Sequence, residues 1–216
     1  MKNKLYMGCF ITLEGIEGVG KSTQLAFISD YLKQKNIPVT ITREPGGTPI
    51  SEAIRQLLLA PALTQEKISA ETELLLFFAA RAQHIDTVIR PALRRGDWVI
   101  CDRFTEASYA YQGGGRGIDV AFIRDLQQWI QKDLTVDCVL LLDAPVELAL
   151  GRTRCRHQPD RIEAETQAFF NRARATYLAR AKQKANRYHI IDASLSVPEV
   201  TSQIQHVLER LIRLVY

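Results

Sequence analysis

The residues Gly15-Ile16-Glu17-Gly18-Val19-Gly20-Lys21-Ser22 fit the spacing G-x-x-x-x-G-K-[ST]. Glycines at these intervals let the backbone curl until consecutive N–H groups point at one phosphate, and a helix starting after the loop adds its positive end. Lys21 is placed to reach β- and γ-phosphates, and the Ser22 hydroxyl to bind Mg²⁺. Further metal ligands are sought at the ends of apolar strands, and Trp98–Asp102 and Val139–Asp143 are two such runs. Arg103 follows Asp102 directly. A carboxylate can hold Mg²⁺ or its water while an adjacent guanidinium grips a second phosphate through two hydrogen bonds. Asp143 precedes Ala-Pro, has no basic neighbour, and reads better as a strand-end residue capping the helix that follows. Arg152, Arg154, Arg156 and Arg161 crowd residues 151–163. A charge run is usually a solvated face, but beside a phosphate loop this one reads as a cationic cover over the transferred group.

These groups need a scaffold. Short apolar runs at Cys9–Glu14, Val39–Thr42, Trp98–Asp102, Val139–Asp143 and His189–Asp192 read as strands, continuously apolar because helices cover both faces. Helical periodicity falls between them, at Lys21–Lys35, Ile50–Leu59, Glu71–Leu93, Val120–Gln131, Pro145–Arg154, Thr166–Ala185 and Val197–Leu214. Strand alternating with helix predicts an α/β fold. It has three layers, a five-stranded parallel sheet flanked by helices, the P-loop NTPase arrangement, with a short arginine-rich lid at about 151–163. Pro61 and Pro91 are expected near helix ends, and Gly113-Gly114-Gly115 reads as a flexible turn. Residues 1–216 carry no repeat or linker, so a single domain is expected.

Composition narrows the class. The chain is 46% hydrophobic and 24% charged, ordinary for a globular protein. No apolar run reaches the ~18 residues of a membrane span, and the N-terminus lacks the features of a signal peptide. A cytoplasmic protein without membrane attachment is expected. A net charge of +4 does not imply a nucleic-acid partner. The four cysteines show no C-x-x-C spacing, and Cys9, Cys101 and Cys138 read as small buried hydrophobes. The Asn-Lys-x-Asp base-reading motif of GTPases is missing, and 216 residues leave no room for the extra domains of a motor. A small-molecule kinase fits best.

Beyond the loop, Thr42-Arg43-Glu44-Pro45-Gly46-Gly47-Thr48, Asp102-Arg103-Phe104, Ala110-Tyr111-Gln112-Gly113 and Asp160-Arg161-Ile162-Glu163 occur in this order. Together they resemble bacterial thymidylate kinases from about Cys9 to the C-terminal helix. The resemblance implies transfer of the ATP γ-phosphoryl group to dTMP, giving dTDP and ADP for dTTP synthesis, with Mg²⁺ and in a homodimer. It further implies that Arg103 and Arg55 bind the acceptor phosphate and that Phe77 stacks on thymine. Arg81 would bond a thymine carbonyl, Ser108 and Gln112 would read the base edge, and Tyr111 would crowd a ribose hydroxyl. Glu44 is expected near the acceptor. Relatives take a catalytic arginine from the phosphate loop or from the lid. Glu17 at the variable loop position implies the lid type, with Arg156 catalytic, Arg161 in support and Arg152 against ATP. Glu163 pairs with a lid arginine or lies near the metal.

Phe77 and Phe78 both sit in the apolar run Leu74–Ala80, and spacing does not decide which is core. Another nucleoside monophosphate or deoxynucleoside kinase, or a P-loop sensor without catalysis, remains the alternative reading.

Overall fold

Alternate residues of the central strands enter two different apolar layers, which explains why the strands carry no polar face. A computed structural model describes residues 8–60, 67–153 and 160–215. Strand β1 (Phe10–Glu14) is followed by helix α1 (Lys21–Gln34), then β2 (Val39–Arg43), α2 (Pro49–Leu59) and α3 (Ala70–His84). Next come α4 (Arg90–Arg95), β3 (Trp98–Asp102), α5 (Thr105–Ser108) and α6 (Val120–Gln131). The chain continues through β4 (Cys138–Asp143), α7 (Val146–Thr153), α8 (Gln167–Gln183), β5 (Tyr188–Asp192) and α9 (Val197–Val215). The sheet is parallel throughout, in the order β2-β3-β1-β4-β5. Ile11, Leu13, Trp98 and Ile100 pack with Ile28 and Leu32 of α1. Phe10, Val99 and Cys101 pack on the other side with Ile89 and Leu93. Cys9, Cys101 and Cys138 are buried, as expected, and none of the three is in a disulfide. Burial pushes the Cys138 thiol up, which removes it from thiolate chemistry near neutral pH.

Register sets the site. Leu13 pairs with Asp102, and Asp102 with Arg43, so the start of the phosphate loop and Asp102-Arg103 emerge side by side at the carboxyl edge. That edge is where open α/β sheets bind ligands.

Two elements differ from the sequence expectation. The helical region expected over Glu71–Leu93 runs through α3, a π-helical stretch at Ile85–Ile89 and α4, and Pro91 falls in the first turn of α4, near a helix end as expected. Arg90 N–H bonds the Ile85 carbonyl across the widened turn just before the proline, which itself supplies no N–H. The glycine run is not a loose turn either. α5 continues into a π-helical stretch, Tyr109–Gly115, packed on α8. A Cβ on Gly115 would sit 2.4 Å from the Phe169 ring, and one on Gly114 2.1 Å from the Thr176 hydroxyl, so these glycines permit close contact between helices. Short-range pattern could not show this, because the partner lies more than fifty residues downstream.

Candidate functional site

The phosphate loop is closed tightly on its surroundings. Gly18 has φ +77° and a Cβ there would lie 1.9 Å from the Ala149 carbonyl oxygen, which excludes any side chain. With α1 beginning at Lys21, Gly18, Gly20, Lys21, Ser22 and Thr23 line one cleft together with Asp102, Thr153 and Glu163. Lys21 Nζ donates to the carbonyls of Gly15 (3.1 Å) and Ile16 (2.8 Å). Burial, with Arg103 adding to it, pulls the Lys21 pKa down to about 8 against the opposing pull of Glu17 and Asp102. An incoming polyphosphate would reverse that shift and restore the full charge.

A second pocket opens beside the first, lined by Phe77, Arg81, Phe104, Ser108, Tyr111 and Gln112. Glu17, Glu44, Arg55, Arg103 and Asp160 line both. The two clefts therefore meet at Arg103, as an in-line transfer between two phosphates requires. Arg103 has φ +65°, a conformation that costs a non-glycine residue on the order of 1–3 kcal/mol. Its backbone N–H donates to the Leu13 carbonyl (2.9 Å), and its guanidinium donates to the Gly15 carbonyl (2.7 Å) and to Glu17 (2.6 Å). Burial alone would lower the Arg103 pKa, but Glu17, Tyr111, Tyr177 and Asp102 together outweigh it and keep the cation charged. Burial alone would likewise raise Glu17. Arg103 and Lys21, with the Tyr111 hydroxyl bonded to the same carboxylate, hold it below the ordinary value.

Behind Arg103 lies Glu14, buried at the end of β1. It accepts hydrogen bonds from the Phe104 N–H (2.8 Å) and the Tyr177 hydroxyl (2.9 Å). Burial pushes its pKa from 4.5 to about 8, against the opposing pull of Arg103. In the window from pH 4.5 to about 8 the native chain keeps a proton that the unfolded chain has lost, so stability falls as pH rises through it. Glu14→Gln should remove this slope. Denaturant midpoints of both proteins at pH 5 and pH 8 check it, and parallel profiles would mean that Glu14 ionises normally.

The pocket floor is a buried polar network. Arg81 is 1% exposed. It donates through Nε to Glu44 (2.6 Å), through Nη1 to Ser108 (3.0 Å) and through Nη2 to the Phe104 carbonyl (3.1 Å). The other Glu44 oxygen meets His84 Nδ1 at 3.0 Å, and His84 Nε2 meets the Thr42 hydroxyl at 2.6 Å. Phe78 lies in the core, under the Arg81 guanidinium at 4.6 Å, while half-buried Phe77 faces the pocket. Arg55 reaches the Pro45 carbonyl at 2.9 Å and lines both clefts.

The lid residues divide. Arg156, with Arg154 and Cys155, lies outside the described residues. Arg152 donates to the Ala193 carbonyl (2.9 Å). Arg161 donates to the Leu58 carbonyl (2.8 Å) and pairs with Glu73 (2.7 Å), which ties it to α2 and α3. Glu163 accepts from the Asp160 N–H at 3.1 Å. Both oxygens of Asp143 are taken by Arg174 of α8, at 2.7 and 2.8 Å, a role for that carboxylate beyond the helix cap expected of it. Sequence reading missed Glu14, Glu73, His84, Arg116 and Tyr177. Glu73 was accessible in principle, since 73, 77 and 81 follow the i, i+4 spacing of one helix face.

Asp102 carries the test for a metal. Its Oδ1 is buried with no hydrogen-bond partner among the described residues, and it shares a cleft with exposed Ser22. Among the described residues no group of three or more His, Cys, Asp or Glu could hold an ion. One carboxylate, one hydroxyl and the phosphates of a bound nucleotide suit Mg²⁺, which keeps few protein ligands. The residues fit the ion.

A parallel sheet with β1 at its centre, a phosphate loop after β1 and a second pocket meeting its cleft at Arg103 define a P-loop phosphotransferase. Comparison with known proteins makes this specific. The family profile described as thymidylate kinase matches residues 13–204. The thymidylate kinase of Chromohalobacter salexigens is 56% identical over 206 residues, covering 94% of this chain and 97% of that protein. That of Vesicomyosocius okutanii is 54% identical over 204 residues, covering 94% and 98%. The crystal structure of thymidylate kinase from Ehrlichia chaffeensis superposes with a TM-score of 0.76 at 32% identity, covering 93% of this chain and 98% of that one. The chain belongs to the thymidylate kinase family.

Proposed function

We propose the following division of labour for the thymidylate kinase reaction, in which the γ-phosphoryl group of ATP passes to dTMP to give dTDP and ADP. The single observation that carries it is the meeting of the two clefts at Arg103, with Glu17 holding the guanidinium there. Residues 15–22 and Lys21 cradle the ATP phosphates, and Arg152 lies against the nucleotide. Ser22 and Asp102 would hold Mg²⁺, which when bound neutralises phosphate charge. Arg103 and Arg55 grip the acceptor phosphate, whose oxygen is already nucleophilic and needs no strong base. Phe77 stacks on the base, and Arg81, Ser108 and Gln112 address its edge. Tyr111 occupies the sugar side, and Glu44 fixes Arg81. Arg156 supplies the cation for the transferred group, with Arg161 anchoring the end of the lid.

The test is release of ADP from ATP and Mg²⁺ with a panel of nucleosides and monophosphates. Strong stimulation by dTMP and little by the others is expected. Equal stimulation by several monophosphates would overturn the acceptor assignment, and none by any would favour a sensor.

A homodimer in the cytoplasm completes the proposal. Among the described residues no helix is long and apolar enough to cross a membrane. Leu75, Phe122 and Trp129 are 57%, 64% and 73% exposed on α3 and α6, and Leu75, Ala79, Ala82 and Trp129 line one groove between those helices. A groove with exposed apolar and small residues, bordered by Asp86, Arg90, Arg94, Lys132 and Asp133, suits a second copy of the same helices. Trp129→Glu is expected to shift the protein from dimer to monomer in light scattering; an unchanged dimer would put the interface elsewhere.

A further inference from the structure

Glu73 is 1% exposed and lines neither cleft, yet it accepts from three side chains. Gln112 donates through Nε2 to its Oε1 at 2.8 Å. Arg116 donates from Nε to Oε1 (3.2 Å) and from Nη2 to Oε2 (3.1 Å), and Arg161 Nη1 lies 2.7 Å from Oε2. Burial alone would raise the Glu73 pKa, but the hydrogen bonds from Arg116 and Gln112 outweigh it and keep the group a carboxylate. An ionised carboxylate has acceptors only. A neighbouring primary amide must therefore present its NH₂, because the flipped amide would set a carbonyl oxygen against a carboxylate oxygen in a buried site.

That choice of flip has a consequence in the pocket that Gln112 lines. With one N–H of its NH₂ on Glu73, the amide turns its carbonyl oxygen, an acceptor, away from that carboxylate and toward a ligand. Arg81, a group with donors only, lies across the same pocket, bonded to Ser108. One acceptor beside donors complements a pyrimidine whose ring N–H adjoins a carbonyl, as in thymine or uracil. Cytosine offers the opposite pattern, an unprotonated ring nitrogen and an exocyclic amino group. It would leave Gln112 facing a lone pair.

We propose that Glu73 is a specificity-positioning residue, which fixes the amide of Gln112 so that the pocket selects pyrimidines with a protonated ring nitrogen over cytosine. The same carboxylate holds Arg161 at the end of the lid, so base reading and lid anchorage share one buried charge. This rests on the reading above that Gln112 addresses the base edge.

The experiment compares kcat/KM for dTMP and dCMP in the wild type, Glu73→Gln, Glu73→Asp and Gln112→Leu. Glu73→Gln brings a donor of its own and lets Gln112 turn over. Glu73→Asp keeps the negative charge between the arginines but draws it back from Gln112, Arg116 and Arg161 by one methylene, so it serves where the first variant fails to fold. Either variant should lower the dTMP/dCMP ratio by about tenfold or more, and adding Glu73→Gln to Gln112→Leu should change the ratio no further. A parallel fall for both substrates, with the ratio kept within about twofold, would reduce Glu73 to a packing role and overturn the proposal. A wild type that phosphorylates dCMP as well as dTMP would instead overturn the acceptor reading itself.

Discussion

Arg103→Ala is expected to lower kcat/KM for dTMP by about 10³-fold or more, a loss of about 4 kcal/mol in transition-state binding. The size follows from position. Arg103 lines both clefts, as Arg55 does, and its guanidinium is held in place by Gly15 and Glu17 before any ligand arrives. The backbone strain at φ +65° is maintained by the hydrogen bond to Leu13, so the fork is preorganised rather than assembled on binding. Alanine also leaves Glu17 facing the acceptor phosphate without its partner, adding repulsion to the lost attraction. Arg103→Lys should recover only part of the activity, since an ammonium cannot hold two phosphate oxygens in one plane. Steady-state assays varying dTMP at saturating ATP check this. A variant keeping more than a tenth of wild-type kcat/KM would remove Arg103 from the acceptor site.

Arg156→Ala carries the second large effect, a fall in kcat of about 10³-fold. The phosphate loop offers no arginine, and the Glu17 at its variable position is committed to Arg103 and Tyr111. Arg161 is bonded to Glu73 and the Leu58 carbonyl, and Arg152 to the Ala193 carbonyl. The cation for the transferred phosphoryl group is therefore proposed to come from the segment between them, which lies outside the described residues. KM for either substrate should move far less than kcat, because the interaction belongs to the transition state. Arg161→Ala should instead lower stability and weaken dTMP binding, through Glu73. Retention of more than about a third of kcat in Arg156→Ala would send the search to another cation.

Glu73 and Phe77 show where the boundary between sequence and structure falls. Five apolar runs, the glycine spacing of residues 15–22 and the alternation of strand with helix dictated a parallel three-layer sheet and a phosphate site, since these depend on neighbours a few residues apart. Asp102-Arg103 was legible for the same reason, and Glu17 directed attention to the lid. The division between Phe77 and Phe78 was not legible, because it depends on how α3 is rotated against Arg81 and Phe104. The close approach of Phe169 to Gly115 was not legible either, because the two lie on different elements. The raised pKa of Glu14, the relay from Thr42 through His84 to Glu44 and Arg81, and the grip of Glu73 on Gln112 all join residues tens of positions apart. Their chemistry comes from burial and from the partner present, which tertiary packing alone sets. The sequence by itself determined that a phosphate would be bound and passed on; only the folded chain decided which faces of its side chains meet the acceptor.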